Sequence, residues 1–519
     1  MRMVFSHHIR KMKHRYFILL FYLAAFATVY PQMDRPLRAE IPVSEGFFPF
    51  ALINLEENGV LVHTATSDVT RRTQGGNIQD FFFYDAFLRQ MWQIRTHFPI
   101  EYAVVNYVLN EGTLQILLRN QVYRNTHTPT FLMNVDLQTG IHTIDTLFSL
   151  SRTPTAAGFV HNSRVWLVQI DRGDCAVNIA RVGDTLLHQY VFRRFSNQEV
   201  IHAALDTVSE RLYLLYADNS RRDDFLMLAV FDTLANLVHS QEIRLDAQSR
   251  PVQAELFIDT AGTVFIFGTY NLTSERQRMD VNDRLTASTG FFSMKFNGSE
   301  TQLLSMQNFA DFDNVDTRVS MDQSRTLRQR REGRRQPFSM DVLVNFQLRE
   351  VNGDLALIGE SVTREYRTTT RTFHDHFGRV VPYSITVFEG YSFNDTFIWV
   401  LGADGKARKN YVSDISVALN SSRLINRVAF CSNPNETTIM FANATNIFYK
   451  SLDPYEISYR TLRLQQLHRN DRVIEDHDSR IVHWYGSNFL VVGYQTIQNN
   501  TLRGANRRVV FYLSKLSLD

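Results

Sequence analysis

Apolar runs of strand length alternate along this chain with short polar turns, and the alternation repeats. GFFPFALINL is followed by Glu56-Glu57-Asn58-Gly59 and then by VLVHTAT. EYAVVNYVL turns at Asn110-Glu111-Gly112 into TLQILL, and AAGFV turns at His161-Asn162-Ser163 into RVWLVQI. IHAALD and RLYLLY flank Ser209-Glu210; VQAELFID and TVFIFG flank Thr260-Ala261-Gly262. The sixth unit, DVLVNFQLREVNGDLALIGE, turns at Asn352-Gly353. LINRVAFC meets TIMFA across Asn433-Pro434-Asn435, and RIVHWY meets FLVVG across Gly486-Ser487-Asn488. Asn, Asp, Ser and Gly favour turns, and Gly and Asn tolerate a left-handed backbone, so each unit predicts a hairpin. The apolar runs are too short for typical helices.

Gly59, Gly112, Ser163, Glu210, Gly262, Gly353, Asn435 and Ser487 mark the eight turns. Five of the seven intervals lie within a few residues of fifty. The two long ones flank unit six. Between hairpins sits a further strand pair: FLMNV (131–135), CAVNIA (175–180), FLMLAVF (225–231), FFSMKF (291–296), TFIWVL (396–401) and IFYKSL (447–452) are followed by polar turns. Four strands per repeat with no amphipathic helix between them predict an all-β fold, a β-propeller of four-stranded blades. One such sheet cannot bury both faces, whereas a ring of them can. Eight hairpins favour eight blades. A strand near Phe47–Leu55 that completes a mixed last blade with VVFYLSKL (509–516) would leave seven or eight. Two smaller β domains are the alternative architecture.

On these repeats the chain resembles extracytoplasmic bacterial β-propeller repeat proteins, over about residues 45–519. The resemblance rests on the pattern. The four Trp are followed by Gln93, Leu167, Val400 and Tyr485, so the Trp-Asp pair of WD40 repeats is missing, and Gly75-Gly76 occurs once where kelch repeats would show it regularly.

Composition adds a compartment. Arg2, Arg10, Lys11, Lys13 and Arg15 precede the apolar run Tyr16–Ala27, and Ala25-Phe26-Ala27 supplies small residues for cleavage. This is the pattern of a secretory signal over residues 1–27, cleaved between Ala27 and Gln32, with Met12 a possible initiator. The run is short for a membrane span, which needs ~20 residues. An uncleaved anchor is the alternative. Residues 28–44 are expected to be a linker. Five positive charges removed from a formal net of +2 leave −3, with no global drive toward nucleic acid. The expected localisation is periplasmic or secreted, with no transmembrane segment in the mature chain. No Cys follows the apolar run, so a lipoprotein attachment pattern is missing.

Candidate chemistry is sparse. Cys175 and Cys431 are the two cysteines, with no C-x-x-C spacing. They fall in units three and seven, on opposite sides of an eight-membered ring, so both are expected to be unpaired. In FHDHFG, His374 and His376 share a face if the segment is a strand and could grip one metal, although no further ligand can be nominated. A polar solvated loop is the competing account. Arg325, Arg328, Arg330, Arg331, Arg334 and Arg335 lie in a charged insertion, 310–338, between units five and six. Guanidinium groups there suit a polyanion such as an acidic glycan or an anionic membrane surface; a solvated loop is again the alternative. DFDNVD (311–316) fails as a calcium loop, because Val315 replaces an oxygen ligand and the flanking helices are missing.

Asp-Thr-apolar triplets at Asp145, Asp184, Asp206, Asp232 and Asp259 resemble an O-glycosylation acceptor pattern and suit strand ends equally well. Asn-x-Ser/Thr sites such as Asn271 and Asn443 arise readily by chance in such a composition. The chain has no G-x-S-x-G elbow, P-loop or H-E-x-x-H. No catalytic residue is nominated and no cofactor is implied. The expected function is a non-catalytic binding or scaffold protein that recognises a protein or glycan partner. The alternatives are an enzyme acting on a carbohydrate or peptide at the central channel, or a structural subunit of a cell-envelope complex.

Overall fold

The computed structural model describes residues 37–518 except 44–49, 68–76, 99–101, 121–128, 148–154, 172–173, 182–185, 193–197, 219–224, 273–286, 314–341, 352, 375, 416–419, 422–423, 434–435, 454–455, 457–458 and 502–505. The described strands form eight antiparallel sheets, each built on four strands. Apart from two 3-10 turns, Glu56–Asn58 and Phe309–Asp311, the assigned elements are strands. Among the described residues no helix is long and apolar enough to cross a membrane.

Blades one to eight begin at innermost strands Phe50–Asn54, Tyr102–Asn110, Thr155–His161, Gln198–Asp206, Ser249–Ile258, Val342–Val351, Val428–Asn433 and Arg472–Tyr485. The core is divided into eight clusters, one at each contact between neighbouring blades. The period of two explains this. In blade three Val165 and Leu167 pack on blade two, while Trp166 and Val168 pack on blade four. In blade six Leu355 and Leu357 face blade five, while Ala356 and Ile358 face blade seven. Every sheet is therefore buried on both faces, which is why the second and third strands are almost continuously apolar. The eighth cluster joins Trp484, Leu490 and Val492 of blade eight to Val60, Val62 and Tyr84 of blade one, so the ring is a closed eight-bladed propeller.

Closure differs from the expected form. The strand that completes blade eight is Arg38–Pro42, paired with Arg507–Ser517 from Arg38↔Ser514 to Pro42↔Val510. It lies inside residues 28–44, the expected linker. Phe50–Asn54, within the segment expected to close the ring, is instead the innermost strand of blade one. Ala39 and Ile41 carry the difference, since alternate residues of a five-residue strand suffice to bury an edge. The Trp484 indole also donates to the Gly59 carbonyl across the junction, at 3.2 Å.

Cys175 and Cys431 are free and buried, in blades three and seven. The expected charged insertion begins inside the core: Ala310 is buried, and Phe309 and Phe312 pack against Phe291 and Phe397. Blade six is the most decorated. Ala287–Ser288, from the connection between two strands of blade five, pairs with its innermost strand, and Asn420–Ser421 pairs with its third strand. Its second and third strands, Asp354–His374 and Val380–Leu401, run far beyond the sheet as a two-stranded ribbon.

Candidate functional site

In an antiparallel meander, turns from first to second strand and from third to fourth lie at one end of the blade, and all other connections lie at the opposite end. The first end carries no connection longer than six residues, from Asn110–Thr113 to Asp453–Arg460. The opposite end carries every longer one, the longest being 68–76, 121–129, 273–289, 309–341, 415–427 and the ribbon. Side chains near the central channel at this long-loop end are the candidate site, because loops on a rigid scaffold are where binding residues concentrate.

The charged groups there cluster on blades six to eight. Glu360, in the second strand of blade six, is fully buried. Its Oε1 accepts the backbone N–H of Arg427 at 2.7 Å and of Val428 at 2.6 Å, and its Oε2 accepts from Asn345 Nδ2 at 3.2 Å. Burial pushes the carboxyl up to about 7 against the pull of those donors and of the Arg427 charge. The Asn345 amide also reaches the Ile425 carbonyl at 3.1 Å and Asn426 Oδ1 at 2.8 Å. Together these contacts pin the crossover from blade six to blade seven at the channel mouth.

Arg427 ends that crossover and is 4% exposed. Its guanidinium lies 5.8 Å from the Phe393 ring centroid and in the field of Glu360, Asp478 and Asp476. Burial lowers its pKa. Its Nε and Nη1 are buried and have no hydrogen-bond acceptor among the described residues. A buried donor without a partner is costly, so a carboxylate or hydroxyl oxygen that reached it would be held strongly.

Blade eight supplies the facing side. Its innermost strand breaks register between His477 and Arg480, and Asp478 takes φ +56°. That bulge turns Asp478 toward Ser421, whose hydroxyl donates to it at 2.7 Å. Asp476 accepts from Gln495 Nε2 at 2.9 Å and from the Ser479 hydroxyl, and burial raises its pKa. The Ser479 proton is thus engaged, so Tyr512, 2.8 Å away, donates to Ser479 Oγ. Arg38 of the closing strand donates to Gln495 Oε1 at 2.8 Å and lies 4.5 Å above the Tyr512 ring. The closing strand and the channel network are thereby one structure. Half-buried Arg480 lies in the same field; exposed Arg349 and half-buried Glu255 of blade five, which burial pushes up to about 7, lie farther down the channel toward the short-connection end.

Of the residues expected from sequence, the described ones lie elsewhere, on the ribbon of blade six. His374 is the last residue of its strand, opposite Val380, and its side chain lies outside the described residues, as does Asp375. His376 is in the turn beyond, its ring 3.9 Å from that of Phe377. Among the described residues no group of three or more His, Cys, Asp or Glu could hold a metal ion. Arg325, Arg328, Arg330, Arg331, Arg334 and Arg335 lie outside the described residues. Sequence reasoning missed Glu255, Glu360, Arg427, Asp476 and Asp478. A signal existed: each is an ionisable group set into or beside an apolar strand run, as in LIGESV and LINRVAF.

No family model matches the chain, and no curated protein matches it. Solved structures similar to it include the Dos1 propeller, at 8% identity and TM-score 0.39, covering 80% of this chain and 92% of that one. The β-propeller domain of the Trilobed protease from Pyrococcus furiosus is similar at 10% identity and TM-score 0.37, covering 81% and 98%. The polysaccharide lyase Uly1 is similar at 10% identity and TM-score 0.36, covering 80% and 90%.

Proposed function

We propose that this propeller is a secreted or periplasmic binding protein that recognises a protein or glycan partner at its long-loop end, over the charged mouth formed by blades six to eight. The observation that carries the reading is the asymmetry of the two ends. One has no connection longer than six residues, while the other gathers the long connections, the decorated blade six and the buried guanidinium of Arg427. Glu360 favours binding over catalysis, because its carboxylate oxygens are engaged by Arg427, Val428 and Asn345 and it has no exposure through which to meet a substrate. A second reading, hydrolysis of a carbohydrate, rests on Glu255, a half-buried carboxyl held near 7 that could act as a general acid.

The test is a photo-crosslinking residue at exposed His477, on the innermost strand of blade eight, compared with one at Val208 in a tight turn. Each protein is exposed to an envelope fraction and to an array of glycans. Adducts from position 477 and none from position 208 are expected. Adducts from position 208 alone, or from neither, would overturn the assignment. Glu255→Gln leaves binding unchanged in the first reading and abolishes turnover of a bound glycan in the second. The compartment is tested separately by N-terminal sequencing of the exported chain, which is expected to begin between Thr28 and Met33.

A further inference from the structure

The ribbon on blade six is the largest feature that the channel site does not use. From Val362 to His374 it spans ~40 Å at the usual rise per residue. It exposes eight large apolar side chains between Tyr366 and Phe388, with Phe377 at its tip 71% exposed. A two-stranded hairpin is marginal by itself in water, and an apolar concentration of this size marks a contact surface.

The register sorts the side chains into two faces. Tyr366, Thr368 and Thr370 oppose Phe388, Thr386 and Ser384. That face is satisfied internally: the two hydroxyl pairs lie at 3.2 and 3.3 Å, and Tyr366 meets Phe388 edge-on at 5.6 Å. The other face sets Arg367, Thr369, Arg371 and Phe373 against Val387, Ile385, Tyr383 and Val381. It is an apolar column beside a charged one. The charges are ordered along it. Glu365 and Glu389 lie at the base, where Glu389 pairs with Arg367 at 3.5 Å. Arg371 lies toward the tip. Glu365 and Arg371 are both exposed, and neither has an ion-pair partner among the described residues.

A surface that is acidic at one end, basic at the other and apolar between is complementary to itself under a two-fold rotation. We propose that two copies of this chain dimerise by packing these ribbon faces together, antiparallel, about an axis near the level of Thr368. Val387 of one copy then lies over Ile385 of the other, and Glu365 faces the other copy's Arg371, twice. The arrangement holds the two propeller bodies apart by about a ribbon length, at opposite ends of a two-layered β structure. This inference does not depend on what the channel mouth binds.

The test is sedimentation equilibrium on the chain without residues 1–27. Wild type is expected to be a concentration-dependent dimer. Val387→Asp is expected to sediment as a monomer with an unchanged circular dichroism spectrum and thermal midpoint, because the ribbon lies outside the inter-blade cores. Arg371→Glu and Glu365→Arg are each expected to weaken dimerisation about tenfold or more, and the double charge swap to restore it to within roughly threefold of wild type. A wild-type monomer at all concentrations overturns the proposal, including a monomer that binds anionic vesicles or another protein through the ribbon. So does a dimer that survives Val387→Asp, or a charge swap that fails to restore association.

Discussion

Glu360 offers a pH test of the channel network. Its carboxyl stands near 7 in the folded chain against 4.5 for an ordinary glutamate. Below pH 4.5 it is protonated in both folded and unfolded chains and contributes no pH dependence. Between 4.5 and 7 the unfolded chain has released the proton and the folded chain still binds it, so stability falls as the pH rises. Above 7 both states are ionised and the full cost of burying the carboxylate persists. A shift of that size is worth about 3 kcal/mol, and full burial means that solvent screening does not discount it. Glu360→Gln removes the titration while its carbonyl oxygen still accepts the Arg427 and Val428 N–H groups. Urea unfolding of the two proteins at pH 4.5 and 8, followed by tryptophan fluorescence, isolates the group, since their other titrations cancel to first order. The free-energy difference, wild type minus variant, should fall by about 3 kcal/mol between the two pH values. A difference that stays constant would refute the account of Glu360 as a buried carboxyl that ionises in place.

The closing strand predicts that Ile41→Ala destabilises the chain by about 2–4 kcal/mol through the blade eight–blade one core, read from the thermal midpoint; a neutral effect would mean that the strand does not close the ring. Cys175, whose thiol burial raises to about 12, and Cys431 should be silent to a thiol reagent in the native protein and both reactive in denaturant; a mass showing a bond between them would contradict the eight-bladed register. Gly268→Ala should be severe, about 3 kcal/mol or more, because its Cβ would stand 1.9 Å from the Gln253 carbonyl oxygen, whereas Gly112→Ala, at φ +81° with open space around it, should cost only about 1 kcal/mol. Comparing the two midpoints checks whether close strand approach or turn geometry dominates.

Most of the architecture was legible in the chain. Alternation with period two and turns such as Asn110-Glu111-Gly112 report local backbone preference, and their recurrence near fifty residues reports the blade. The third strands read as FLMNV or TFIWVL are third strands in the fold. What was misread had weak local signal. Arg38–Pro42 is a short strand whose apolar content is Ala39 and Ile41, and only the unpaired edge of Arg507–Ser517 makes it one. The ribbon was not legible beyond FHDHFG, which reads as a strand or a solvated loop, because TTTRT has no core-facing alternation: both of its faces are outside the core.

The sequence by itself determined the strand class and the repeat and favoured eight blades over seven, because these follow from contacts and turns within about fifty residues. Tertiary structure alone decided which strand closes the ring, which end carries the long connections, and that Glu360, Asn345, Arg427, Asp476, Asp478 and Arg38 form one network. Those residues are up to several hundred positions apart. The pairing of Arg38 with Gln495, and of Ser421 with Asp478, exists only because the ring brings the chain's ends and its last three blades to one mouth. An ionisable group in an apolar strand signals its cost in the sequence, but its partner is chosen by the closure of the ring.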